Sequence, residues 1–384
     1  MEPIVVEVTR GEVVEAHHIV HAVAVRDGRI ELSAGDASLV TFLRSSAKPI
    51  QALPVVRARP DLDDEEIALA CASHLAAPEQ LAVVRRLLSA APAAEDELEC
   101  GGAPTPIEHN CSGKHAGFLA LCRARDWPTP AYRLLEHACQ QAMLREVAEA
   151  AEVEPSSLKV GVDGCGVPTF ALPLERAAHC FTRLASLDGG ERVVRAMRTH
   201  PDLLRGPVAT DALMIRALDG WVAKGGAEGL YCAASADGLG LALKVVDGAF
   251  RAVQPALAHV LATIGIDPGP LGASAVSNSL GERVVRAMRA HPDLLRGPVA
   301  TDALMIRALD GWVAKGGAEG LYCAASADGL GLALKVLDGA FRAIQPALAH
   351  MLAVLGIDPG PLGASPVSNS LGEQVGELRV RFEV

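Results

Sequence analysis

Residues 18–25, HIVHAVAV, are apolar with partial alternation, the period-two pattern of a half-buried strand. Asp27-Gly28 follows, so the run should turn back as a hairpin. Residues 39–43, LVTFL, form another short apolar run. From Asp61 the period changes to that of a helix. Residues 63–71 and 78–88 read as helices, the second with Pro78 at its first turn and Glu79 just after. Residues 131–151 read as one longer amphipathic helix, and 159–162 as a short strand leading into Asp163-Gly-Cys-Gly. A helix over 191–198, a polar connection HPDLLRGP and a helix over 210–219 come next. Strands at 229–234 and 240–246 are separated by a turn at Ala236-Asp-Gly, and a helix follows over 255–264. The tail 377–384 alternates and should be a strand. Strands near both ends with helices between predict an α/β (α+β) fold, one antiparallel sheet built from both chain ends with a helical part inserted.

The pattern repeats. Residues 191–281 and 282–372 are the same sequence but for seven positions: Thr199/Ala290, Val246/Leu337, Val253/Ile344, Val260/Met351, Thr263/Val354, Ile264/Leu355 and Ala275/Pro366. Most are apolar exchanges of the kind a core tolerates. Two copies are too few for a solenoid, which needs three or more. The expected organisation is a catalytic unit over 1–281, a near-identical duplicate over 282–372 as an appended partial domain, and a C-terminal strand over 373–384.

Composition narrows the class. Half of the 384 residues are hydrophobic but only 3% are aromatic, so Ala, Val, Leu and Ile must fill the core. The net charge of −11 argues against nucleic acid, which asks for a basic stripe. No apolar run reaches the roughly 18 residues that span a bilayer, and MEPIVVEVTRGEVVEAHH has acids where a secretory leader needs bases. The nine cysteines are scattered, two of them copies of each other, which does not suit a disulfide framework in a chain this large. A cytoplasmic protein with mostly buried thiols and no membrane partner is expected.

The chain holds seven lysines against 28 arginines. Lysine can lose its proton when desolvated and arginine effectively cannot, so a lysine kept in such a chain is a candidate base. Ser45-Ser-Ala-Lys48 is an S-x-x-K arrangement, in which a lowered lysine could activate the serine three residues before it. By itself the motif is common by chance, and its plain reading is a capping serine and a surface lysine. Pro49 is a minor conflict, because the residue before proline avoids helical geometry. Lys224-Gly-Gly precedes a strand, as a K-T-G-like triad would, and Lys315-Gly-Gly repeats it; the plain reading is a turn. Ser73, in Cys71-Ala-Ser-His, offers a second hydroxyl at a helix end.

A second constellation is HNCSGKHAG at 109–117 with GVDGCGVP at 161–168. Cys111 and His115 are four apart and share a helix face, and Cys165 supplies another thiol. Such soft donors suit zinc, although free cysteine is more often a small buried hydrophobe. Asp163, on the same turn as Cys165, could bind a substrate ammonium.

RSSAKPIQALP, ASH, HNCSGKHAGFLA, GVDGCGVP and KGGAEG, in that order, resemble the Rhizobium-type L-asparaginase family, also called the asparaginase II family. The resemblance covers the chain apart from the extra copy. It implies a fold like that of serine β-lactamases and glutaminases, and hydrolysis of L-asparagine to aspartate and ammonia. It carries the catalytic roles to Ser45, Lys48, Ser73 and Lys224, and a zinc site to Cys111, Lys114 and Cys165 with a water completing the shell. Asp163 and His115 lie beside it as substrate-binding residues, His115 supporting the metal ligands from behind. Spacing alone favours His115 over Lys114 as a ligand, since lysine is rare on zinc. The implied partner is the small-molecule substrate, and a homodimer is expected. The rival readings are a related amidase or β-lactam hydrolase, and a non-catalytic zinc or amino-acid binder. Of the two copies, the first is expected to serve the site, through Lys224 rather than Lys315, because it continues the chain without a long crossover.

Overall fold

A computed structural model describes residues 1–10, 12–102, 105–272, 309, 312–326, 330–364 and 366–378. Runs of strands and runs of helices follow one another along the chain, and among the described residues the pairings with a defined register are antiparallel. The molecule is a mixed α/β protein that forms two compact units. One holds Met1–Ile4, Val20–Ser274 and Ser368–Glu373, and the other holds Val5–Ile19, Ala275–Val367 and Gln374–Val384.

The long strand β2 (Val13–Arg26), which follows β1 (Ile4–Arg10) and belongs to the first unit from Val20 on, turns back into β3 (Arg29–Ala34) through Asp27 and Gly28. Both turn residues have positive φ, +50° and +72°, as the tight hairpin requires. Val20 to Arg26 pairs with β9 (Leu239–Val245), which pairs with β8 (Leu230–Ala234) and that with β7 (Val222–Gly225). Val20, Val23, Ala24, Leu241 and Leu243 are wholly buried. The large aromatics are few, so these branched and small side chains pack the sheet against α7 (Leu174–Arg183) and α11 (Val253–Thr263). The K-G-G motif differs from expectation. Lys224 and Gly225 are themselves the end of β7, paired with Cys232 and Tyr231, rather than a turn before a strand.

A second sheet orders β4 (Val40–Phe42), β6 (Pro168–Pro173) and β5 (Lys159–Val162) with β6 in the middle. The helical part consists of α1 (Lys48–Gln51), α2 (Leu53–Ala58), α3 (Asp64–Ala70), α4 (Pro78–Ala90), α5 (Ser112–Ala124) and α6 (Ala138–Ala151). α3 opens with a capping box, in which Asp63 and Glu66 each accept the other's backbone N–H. The long helix predicted over 131–151 begins only at Ala138. Ala131 has φ +62°, which no helix continues, and His137 stops the chain outside the helix and accepts the Cys139 N–H through Nδ1 at 3.1 Å. α8 (Gly190–Thr199), the short α9 (Pro201–Leu204) and α10 (Thr210–Ala217) carry the first copy to β7.

The second unit repeats the end of that order: β10 (Trp312–Gly316), β11 (Leu321–Ser326) and β12 (Gly331–Lys335) form a three-stranded sheet followed by α12 (Ile344–Val354). Tyr322, Leu332, Ile344, Leu348, Leu352 and Leu362 make its core. His17 N–H donates to Leu337 O at 2.9 Å, so the N-terminal residues in this unit touch the second copy. Cys232 is buried in the first copy while its counterpart Cys323 is exposed in the second. β13 (Pro366–Ser368) pairs with β14 (Gln374–Glu377). The strand expected over 377–384 lies largely outside the described residues, as do the segments of the second copy that correspond to 191–198 and 210–219. Among the described residues no helix is long and apolar enough to cross a membrane.

Candidate active site

Leu43 and Arg44 tie the end of β4 to β6. Leu43 N–H donates to Phe170 O at 2.9 Å and Arg44 N–H to Thr169 Oγ1 at 3.1 Å. Arg44 takes φ +48°, a conformation a non-glycine residue adopts only under constraint. A 3-10 turn, Arg44–Ala47, follows at once and runs into α1. This abrupt start leaves Ser45 partly exposed and sends Ser46 inward, where its Oγ donates to Lys224 O at 2.9 Å. Gly226 makes that approach possible, since a Cβ there would stand 2.8 Å from Leu43 O. The glycine of the K-G-G motif therefore lets the end of β7 lie against the turn carrying Ser45.

Lys48 is helical (φ −57°, ψ −39°) although proline follows it, so the conflict with Pro49 is resolved in favour of the helix. Its side chain is buried. Nζ donates to Ser73 Oγ at 3.0 Å and to Ala72 O. Burial first, and then the Lys114 and Lys224 ammonium groups, push its pKa below the usual lysine value against the opposing pull of Cys111. Among the described side-chain hydrogen bonds none joins Lys48 to Ser45; its hydroxyl partner is Ser73.

Ser73 and His74 follow α3. Ser73 N–H donates to Leu204 O at 2.7 Å. His74 Nε2 lies 2.8 Å from Ser112 Oγ, whose own proton goes to Ile107 O at 2.7 Å, so Nε2 carries the imidazole proton and Nδ1 accepts from Ala76 N–H. Burial and then the charge of Lys48 lower the His74 pKa to about 4. The neutral ring thus joins the segment carrying Ser73 to the start of α5.

Cys111 is the N-cap residue of α5, and Lys114 and His115 lie on its first turn. Lys114 Nζ is 3.1 Å from Cys165 Sγ. Cys111 is drawn well below the usual thiol range by a hydrogen bond from Cys165, with Lys48 and Lys114 adding to the effect, and Cys165 is raised correspondingly. Burial would lower Lys114, but Cys165, Cys111 and Asp163 outweigh it and raise its pKa. The lowered Cys111 thiol and the raised Lys114 amine thus favour a thiolate beside an ammonium. His115 Nδ1 meets the Tyr132 hydroxyl at 2.7 Å, while its buried Nε2 has no hydrogen-bond partner. Asp163 is buried, and its Oδ1 accepts from Arg44 Nε and from Gly164 N–H, both at 2.7 Å.

Lys224 ends in a buried ion pair, Nζ to Asp211 Oδ2 at 3.2 Å, and donates also to Gly225 O at 2.9 Å. Asp211 Oδ1 accepts the Gly225 N–H at 3.0 Å, and the Gly226 N–H goes to Leu230 O. Both glycine amides at this sheet edge are therefore engaged within the fold.

The structure pairs Lys48 with Ser73 and groups Cys111, Lys114 and Cys165. It leaves Ser45 without a hydrogen bond to Lys48. Sequence reading missed Arg44, Ser46, Ser112, Tyr132 and Asp211. Ser46 sits inside the quoted S-x-x-K motif and was in reach, but nothing in the spacing marks Asp211 as the partner of Lys224. Among the described residues no group of three or more His, Cys, Asp or Glu is arranged to hold a metal. The candidate donor set includes a lysine, and behind it the buried Nε2 of His115 has no hydrogen-bond partner.

Compared with known families, the chain matches a family model described as L-asparaginase II over residues 6–280 and again over 271–380. No match to a curated protein was found.

Proposed function

The chain belongs to the L-asparaginase II family, a family of amidohydrolases acting on L-asparagine, and from that premise we propose that it hydrolyses asparagine through a serine ester, with Ser45 as nucleophile and Lys48 as base. The observation that carries this reading is the buried Lys48 amine, lowered in pKa and three residues from a partly exposed serine on a strained turn. Neutral Lys48 Nζ takes the Ser45 proton as Oγ bonds to the side-chain amide carbon. The C–N bond then breaks, and the proton passes from Lys48, through Ser73 Oγ, to the departing ammonia. Water attacks the aspartyl ester and gives a proton to Lys48, which passes it to Ser45 Oγ as the acyl C–O bond breaks, so that aspartate leaves and Ser45 and neutral Lys48 are restored. Backbone amides at the start of the 44–47 turn are candidates for the oxyanion, because those of Gly225 and Gly226 are already used. Asp163, with Oδ1 committed to Arg44, presents its second oxygen to the substrate ammonium, and His115 supports that wall. Lys224 holds the sheet edge against the turn.

Cys111, Lys114 and Cys165 would hold a zinc ion, with His115 behind them; two thiolates and a neutral amine would be a suitable donor set once the remaining thiol and the ammonium had given up their protons on binding. When bound, zinc supplies a fixed positive charge that orders this wall and the substrate beside it. A second reading is favoured by the 3.0 Å Lys48–Ser73 hydrogen bond, which makes Ser73 the nucleophile. Rapid quenching during turnover, followed by peptide mass mapping, separates the two: an aspartyl ester on Ser45 supports the first reading, and one on Ser73 the second. A panel of asparagine, glutamine and a chromogenic β-lactam separates an asparaginase from a related amidase or β-lactam hydrolase, and zinc binding without ammonia release from any of them would favour a non-catalytic binder. The reading carries with it a cytoplasmic homodimer, which should sediment at twice the 39.9 kDa chain mass; a species of single mass would contradict that part.

A further inference from the structure

Gly101 follows Cys100 with φ +65°, and Gly166 follows Cys165 with φ +83°. A Cβ on Gly101 would stand 2.7 Å from Ser370 O, and one on Gly166 would stand 2.7 Å from Leu371 Cδ1. Both glycines thus admit Ser368–Glu373, SNSLGE, which belongs to the same compact unit as the candidate site. The segment is closed on itself. Asn369 Oδ1 accepts the N–H groups of Leu371 and Glu373, both at 3.0 Å, and Nδ2 donates to Glu373 Oε2 at 2.8 Å. Arg133 Nη2 meets Glu373 Oε1 at 2.9 Å. Ser370 N–H donates to Gly164 O at 2.7 Å, and its hydroxyl lies 2.6 Å from Gly164 O and 2.7 Å from Cys100 O, its one proton serving one of them at a time.

Gly164 stands between Asp163 and Cys165, so a clamp on its carbonyl fixes the turn that aims one at Arg44 and the other at Lys114. We propose that Ser368–Glu373, from the second copy, is the piece that completes the candidate site, and that Ser370 is the positioning residue holding the 163–166 turn. The same six letters occur at 277–282, across the end of the first copy and the start of the second, outside the described residues. The site would then take its Lys224 strand from one copy and its closing turn from the other. The effect on turnover rests on the proposed function; the docking of the segment does not.

The experiment compares full-length Ser370→Ala, Ser370→Thr and Ser279→Ala. Two readouts are taken: kcat and KM for asparagine, and native-state thiol labelling mapped by peptide mass, in which exposed Cys323 reacts first and buried Cys165 slowly. Ser370→Ala should lower kcat/KM by about tenfold, the size expected for a polar group left unpaired. The change should fall mainly on KM, because Asp163 is the group displaced. It should also speed labelling of Cys165, while threonine restores both and Ser279→Ala changes neither. Loss in Ser279→Ala alone, equal loss in both alanine variants, or unchanged Cys165 labelling in Ser370→Ala would overturn the proposal. If Ser370→Ala fails to fold while Ser279→Ala folds, the asymmetry between copies stands; equal failure overturns it. A wild-type chain that releases no ammonia would sink the proposed function, and the labelling would still decide where the segment docks.

Discussion

At the scale of the residue, the site depends on what burial does to individual side chains. In the proposed reaction Lys48 serves as base because its ammonium is held in a buried setting beside two other cations. The rate of asparagine hydrolysis should therefore rise with pH as Lys48 loses its proton, with the midpoint below the ordinary lysine value of 10.5. Lys48→Arg keeps the charge but cannot act as base, and should cost about 10²–10⁴-fold in kcat; a Lys48→Arg enzyme with wild-type kcat and pH profile would contradict the assignment. His74 gives a stability prediction. Its folded pKa of about 4 lies below the usual imidazole value of 6.5, so the folded state binds fewer protons between those two values. Stability is complete above the upper value and is lost as pH falls through the window, by at most about 3 kcal/mol at roughly 1.4 kcal/mol per unit. Denaturant titrations at pH 7 and pH 4.5 read this loss, and His74→Gln should shrink the difference; an undiminished pH dependence in that variant would place the proton uptake elsewhere. The S-x-x-K serine and lysine were legible in the sequence because three residues fix their separation. The Lys48–Ser73 bond was not, since it joins positions 25 apart through the path of α2 and α3.

At the scale of the element, helix ends and turns deliver the chemistry. Ser73 sits just beyond α3, so whatever seats that helix also seats the hydroxyl. Asp63→Ala removes the capping box and should cost about 1 kcal/mol of stability, read by urea unfolding; no change would mean the cap contributes nothing measurable. The start of α5 and the 163–166 turn bring Cys111, Lys114 and Cys165 together from separate parts of the chain. Cys111→Ser and Cys165→Ser should each strip most of the zinc that gentle purification retains, while Cys180→Ser should not, as measured by metal analysis. Wild-type protein without metal, or full zinc in both variants, would contradict the metal assignment. The hairpin at Asp27-Gly28, the helices after Asp61 and the strand at 159–162 were readable from period and turn chemistry. The true start of α6 was not, because an alanine-rich stretch reads as helix until a positive φ at Ala131 and a cap at His137 intervene.

At the scale of the whole molecule, the duplication is the property that composition and motif cannot resolve. Two copies with seven differences offer the same Lys-Gly-Gly strand twice. Lys224 is buried against Asp211 in the unit that holds Ser45 and Lys48, and Lys315 lies on β10 in the other unit. Lys224→Ala should therefore abolish or sharply reduce turnover, leaving an uncompensated buried carboxylate, while Lys315→Ala should leave it intact. Loss in the second variant alone would reverse the assignment, and equal partial loss would mean that the copies exchange. The sequence foretold an antiparallel sheet with a helical part, but not that the final turn of the second copy would lie with the first unit, because identical segments carry no information about which one docks.

The most direct test is steady-state ammonia release from L-asparagine by the full chain beside its Ser45→Ala variant, with the unfolding midpoint of each measured in parallel. The account predicts turnover by the parent chain and a loss of at least about 10³-fold in the variant, as removal of a covalent nucleophile should produce, at an unchanged midpoint. Near-equal ammonia release by the two proteins would contradict it.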